Sequence, residues 1–190
     1  HKINNSNSNR NLNIYKNIIK TRSLNPREQY YYSRELFDHK KYKKCITEIN
    51  KFLKQDAWVE NKIDALIILS KCYYFLKNYN KQFECLTKSF MFDTPRANVC
   101  CYLGDYFILK NDYKTAIYWY TLATKCKNNI NGFVEQQYYS YIPHLNLCVC
   151  YYHLGDIKKA NYHNEKAGQS FETSIVKQNR LFFESIKKST

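Results

Sequence analysis

The sequence predicts an all-α fold, an α-α solenoid in which paired helices recur along the chain. Three observations carry that prediction. Across 190 residues there are only 4 Gly and 3 Pro, too few to punctuate the tight turns of an all-β protein. Hydrophobic residues make up 44%, enough for a packed core and too many for a disordered chain. One spacing of residue types also returns four times, the mark of a repeat architecture.

The returning frame is Tyr42-Cys45-Ile49-Phe52, Tyr79-Gln82-Leu86-Ser89, Tyr113-Ala116-Tyr120-Ala123 and Ile157-Ala160-Asn164-Ala167. Its offsets of 3, 7 and 10 trace one stripe of a helix. Ahead of each segment lies a second helical pattern, marked by Tyr32-Ser33, Leu69-Ser70, Leu103-Gly104 and Leu147-Cys148. A small residue following a large one lets two helices approach closely. The frames start at 42, 79, 113 and 157, so they are separated by 37, 34 and 44 residues.

In chain order, residues 1–9 are Asn/Ser-rich and read as a flexible linker or tag remnant. Residues 10–24 read as an N-terminal linker helix carrying Leu12, Ile14, Tyr15, Ile18 and Ile19. The repeat domain covers 25–190, with repeats at about 26–55, 61–93, 95–128 and 137–170. Asn25-Pro26-Arg27-Glu28 predicts a capped helix start with proline in the first turn. Thr94-Pro95 repeats that signal, and Asn78, Asp112 and Asp156 are placed to cap the second helices. Pro143 falls inside the fourth first helix, which must either start there or kink. The 37-residue interval places three extra residues near Asp56-Ala57-Trp58, and the 44-residue interval places ten around Lys127–Gln136. A last helix over 173–188, carrying Ile175, Leu181, Phe182 and Ile186, is expected to cap the open end of the stack.

These positions resemble the tetratricopeptide repeat, whose period is about 34 residues. Leu103-Gly104, Phe107, Tyr113, Ala116, Tyr120 and Ala123 form the fullest copy. The resemblance implies a right-handed superhelix of about four hairpins plus a helix at each end. Further stretches resemble something narrower: Asn25–Leu36, Trp58–Lys62, Asp93–Ala97 with Cys100-Cys101, Tyr141–Tyr151, Asn164–Gly168 and Phe183–Ser185. Together they are similar to the C-terminal repeat domain of bacterial and viral family-2 glycosyltransferases. That likeness implies a parent enzyme whose upstream catalytic domain binds a nucleotide sugar and a divalent metal. The chain opens at His1 rather than Met, so an excised fragment is the expectation. Family enzymes hold the metal and diphosphate with Asp-x-Asp, and this chain has none. No catalytic residue, metal site or cofactor is therefore assigned within it.

The formal charge of +14 comes mostly from Lys spread along the chain, which supports only weak, salt-sensitive contact with nucleic acid. The 8 cysteines show no CxxC pair or zinc-ligand spacing and read as small buried hydrophobes of a reducing, cytoplasmic protein. No apolar run is long enough to span a membrane.

In the resembled repeat, the exposed side of each first helix lines a concave groove. Arg27, Tyr30, Arg34, Asp64, Lys71, Asn98, Asp105, Tyr152 and His153 are the candidate binding residues, for a protein, a peptide or an acceptor glycan. A clamp for a terminal carboxylate, as in chaperone-tail-binding repeats, is not expected, because only Arg34 keeps suitable chemistry. His144 reads as a core histidine, and Cys148 and Cys150 as packing residues pointing different ways. Cys101 is the candidate reactive thiol. Tyr138, Tyr139 and Tyr141 could stack on a sugar or simply pack.

Overall fold

A computed structural model describes residues 10–127 and 135–189. Most of the long insertion, including Gly132, Phe133 and Val134, and the linker reading of residues 1–9 lie outside the described residues. Among the described residues no strand forms, and the α-helices are α1 (Arg10–Thr21), α2 (Pro26–Asp38), α3 (Tyr42–Phe52), α4 (Val59–Phe75), α5 (Tyr79–Lys88), α6 (Ala97–Leu109), α7 (Tyr113–Lys125), α8 (Tyr141–His153), α9 (Ile157–Ser170) and α10 (Ser174–Ser189). It forms two compact units, meeting in sequence at Asp93 and Thr94. α2/α3 and α4/α5 are the hairpins of the first unit, and α6/α7 and α8/α9 those of the second.

The stripe read from the sequence is the core. At offsets 3, 7 and 10 of each frame, from Cys45, Ile49 and Phe52 to Ala160, Asn164 and Ala167, every side chain is buried. The large-small pairs Tyr32-Ser33, Leu69-Ser70, Leu103-Gly104 and Leu147-Cys148 are buried too. Gly104 shows why the second member is small. A Cβ there would lie 2.5 Å from Cζ of Tyr120, well inside van der Waals contact. Cys148 joins the cluster of Ala160 and Phe183, whereas Cys150 joins that of Ala116 and Tyr120. Two cysteines two positions apart thus serve different interfaces.

The hairpin turns share one geometry. The second residue after each first helix has positive φ: Lys40 (57°), Lys77 (58°), Asn111 (57°) and Gly155 (79°). The next amide donates back to Leu36, Tyr73, Phe107 and Tyr151 carbonyls at 2.8 to 2.9 Å, closing orphan carbonyls of the helix end. This conformation is easy for Gly155, tolerable for Asn111, and costs about 1 kcal/mol at Lys40 and at Lys77. Asn78, Asp112 and Asp156 then cap the second helices by accepting from Lys81, Thr115 and Lys159 amides.

Asn25 and Glu28 exchange side chain-to-backbone hydrogen bonds in the capping box. Thr94-Pro95 does not start a helix: α6 begins two residues after Pro95, with Arg96 in the N-cap position. The Pro95 carbonyl instead accepts from Cys126 Sγ. Pro143 lies in the first turn of α8, where its missing N–H breaks no helical bond. α1 is not held apart as a linker. Leu12 is buried, Tyr15 packs on Tyr32, and Asn11 donates to Glu35 on α2. Ile14 and Ile19 are exposed. At the other end, buried Asn164 donates to the Val176 carbonyl and accepts from Asn179, so a polar residue at offset 7 of the frame fixes α10. That helix buries Val176 and Phe183 and leaves Ile175, Leu181 and Phe182 exposed.

Candidate functional site

In the first unit the exposed side of α2 presents two arginines over two rings. The Arg27 guanidinium lies 5.8 Å from the Tyr31 ring centre and that of Arg34 lies 5.7 Å from Tyr30. Both arginines are exposed. Tyr30, expected to be exposed, is buried, because its ring fills the space beside Phe52 at 5.6 Å. Its hydroxyl still reaches a polar partner, donating to Asp64 Oδ2 of α4 at 2.7 Å and accepting from Arg34 Nη1 at 3.3 Å. Burial, reinforced by the Asp64 carboxylate, pushes the Tyr30 phenol well above its ordinary range. It stays protonated and acts as a fixed donor. Arg34, Tyr30 and Asp64 thus form one chain that ties neighbouring first helices together. Lys71 lies two turns further along α4, partly exposed.

In the second unit the candidates disperse. Asp105 is not an exposed groove residue: Tyr120 on α7 donates to its carboxylate at 2.5 Å. Burial raises the Asp105 pKa while that hydrogen bond opposes the rise. Asn98 accepts from the Val99 amide at 2.8 Å, within its own helix turn. Tyr152 packs edge-on against Phe182, and His153 stacks on Tyr113 with ring centres 4.5 Å apart. These last two sit at the turn end of α8, because the fourth first helix stops at His153. Of the predicted residues, Arg34, Tyr30 and Asp64 are joined by hydrogen bonds.

The tyrosines after the insertion pack. Tyr138 and Tyr102 hydroxyls share a hydrogen bond of 2.7 Å, Tyr139 packs on the core of the second unit, and the Tyr141 hydroxyl meets Thr173 Oγ1. Cys101 is not a reactive thiol: it is fully buried, and burial pushes its pKa far up. All eight cysteines are free, and seven are buried. No group of three or more His, Cys, Asp or Glu among the described residues could hold a metal ion. No helix among them is long and apolar enough to cross a membrane.

One pair escaped sequence reasoning. His144 on α8 and His163 on α9 meet through their Nδ1 atoms at 3.0 Å, and Tyr151 stacks on His163 with rings 2° from parallel. Burial, then the neighbouring His144, lowers the His163 pKa to about 4; burial and Lys166 lower that of His144. Both folded pKa values lie below the unfolded one, so the unfolded chain binds more protons as the medium is acidified. Their contribution is fully present above the ordinary histidine range and is lost as pH falls towards about 4. Thermal melts should show His163 contributing about 1–2 kcal/mol of acid destabilisation, discounted because the ring is only half-buried. His163→Phe should flatten that profile.

The chain matches no protein-family model and no curated protein. Solved structures resemble it at low identity. MamA superposes with a TM-score of 0.65 at 17% identity, covering 94% of this chain and 90% of that one. YrrB, described as a TPR protein with an unusual peptide-binding site, gives 0.65 at 11%, covering 92% and 84%. PilF of Pseudomonas aeruginosa gives 0.64 at 14%, covering 93% and 72%. These likenesses show the fold, an all-α tetratricopeptide-repeat solenoid.

Proposed function

We propose that this chain is a non-catalytic repeat module that binds a protein or peptide segment on the exposed side of its first helices. The observation that carries this reading is the α2/α4 surface. There Arg27 and Arg34 stand exposed over tyrosine rings, and the Tyr30–Asp64 hydrogen bond holds that surface in place. Preorganised arginine and tyrosine anchors are the residue types that dominate protein interfaces. YrrB, with its peptide-binding site, shares the fold.

We further propose that the chain is the C-terminal domain of a family-2 glycosyltransferase, holding an acceptor glycan or a partner for an upstream catalytic domain. Nucleotide sugar and divalent metal belong to that domain, and the setting is cytoplasmic. The support is the sequence resemblance over Asn25–Leu36, Tyr141–Tyr151 and the stretches between. A free-standing adaptor is the alternative, and an open reading frame upstream of His1 that encodes no sugar-nucleotide domain would select it. Weak nucleic-acid binding rests on the diffuse charge alone.

The test pans a phage-displayed random peptide library against the purified chain. Selected peptides should bind Arg27→Ser/Arg34→Gln about tenfold more weakly. Peptides indifferent to that change, or no selection at all, would remove the first-helix surface as the site. The same chain should neither hydrolyse nor transfer a sugar from UDP-glucose, and turnover would overturn the non-catalytic reading.

A further inference from the structure

The turn end of the first unit carries a second surface, distinct from the side of α2 that bears Arg27 and Arg34. Phe37, Tyr42, Phe75 and Tyr74 form an unbroken line of ring contacts that crosses the first hairpin turn and reaches the start of the second. Phe37 lies 5.9 Å from Tyr42, Tyr42 stacks on Phe75 at 4.8 Å, and Tyr74 meets Phe75 at 5.6 Å. Phe75 is 53% exposed and Tyr74 43%. The adjoining Leu76 is also exposed. An apolar edge of this kind gains free energy only when something covers it.

The charge beside it has one dominant sign. Lys40, Lys41 and Lys77 are exposed at the same two turns. Lys40 and Lys77 occupy the left-handed positions, which the second unit fills with Asn111 and Gly155. The fold therefore does not require lysine there, and a lysine is held in a conformation that an L-residue avoids. Backbone strain kept at an exposed position points to use. The blander reading is that each lysine complements the partial negative charge of its helix C-terminus. That reading leaves the neighbouring exposed rings without a purpose, and it predicts a different experimental result.

We propose that this edge docks an acidic peptide segment bearing aromatic or aliphatic side chains. The rings and Leu76 would take the apolar side chains, and Lys40 and Lys77 the flanking carboxylates. A single-stranded nucleic acid fits less well, because Tyr42 and Phe75 already turn their faces to each other, 9° from parallel, and stacked bases need those faces free.

The test measures fluorescence anisotropy of a labelled peptide of repeated Asp-Asp-Phe triplets. The double variant Lys40→Asn/Lys77→Asn removes both charges with a residue that tolerates positive φ, so the fold is retained, and thermal melts check this. Binding should weaken about fivefold to tenfold in that variant, weaken similarly in Phe75→Ser, and fall with added salt. Arg34→Gln should leave it unchanged, so failure here and failure of the first-helix surface are told apart. The proposal is overturned if the peptide does not bind, or if the lysine variant binds it as well as the parent and only its melting temperature changes. Tighter binding of oligothymidine or of phosphatidylserine vesicles than of the peptide would overturn it as well.

Discussion

Tyr120→Ala is expected to destabilise the second unit by about 3–5 kcal/mol, the range for removing a large aromatic side chain from a core. The ring is fully buried, and its hydroxyl donates to Asp105. Truncation therefore opens a cavity and also leaves a largely buried carboxylate without its donor. Tyr120→Phe separates the two effects. It keeps the packing and should cost about 1–3 kcal/mol for the unsatisfied acceptor alone. Urea unfolding followed by the fluorescence of Trp119, on the same helix, would measure both. A loss for Tyr120→Ala no larger than that for Tyr120→Phe would mean that the ring itself does not hold α6 to α7.

Gly104→Leu should cost up to about 2 kcal/mol, even though leucine is a far better helix former than glycine. The gain in helix propensity is about 1 kcal/mol. Against it, the first added carbon would already lie 2.5 to 2.7 Å from three ring carbons of Tyr120, and overpacking of this sort costs about 1–3 kcal/mol for small additions. The ring cannot swing aside, because its hydroxyl is held by Asp105 on the same helix as Gly104. A double-mutant cycle gives the sharper result. In the Tyr120→Ala background the obstruction is gone, so Gly104→Ala should stabilise the unit by about 1 kcal/mol, the reverse of its effect in the parent. If the sign is the same in both backgrounds, the close approach of α6 and α7 does not depend on this pair.

Particular residues show how far the sequence could be read. The frame with offsets of 3, 7 and 10 identified the buried stripe in all four hairpins, down to the polar members Gln82, Ser89 and Asn164. The preceding large-small pattern also marked Ser33, Ser70, Gly104 and Cys148, all of them buried, and Gly104 sits at a close approach of two helices. The caps at Asn25, Asn78, Asp112 and Asp156 were legible because capping depends on a residue and an amide only three positions away. Thr94-Pro95 misled because the same local signal also suits an extended turn, and the Cys126 contact 31 residues away uses the Pro95 carbonyl.

The candidate site was legible only as a list of positions. Helical phase put Tyr30 and Asp105 on an outward side, yet both are held by partners on other helices, Asp64 in one case and Tyr120 in the other. His144 and His163 likewise give no sign in the sequence of facing each other. The sequence by itself determined the buried stripe of the second helix in each hairpin, because apolar burial repeats with the helix turn and so leaves a period to read. Only the tertiary structure decided which polar groups on different helices meet. Those meetings join segments 15 to 34 residues apart, and they depend on how helices cross, which no local period records.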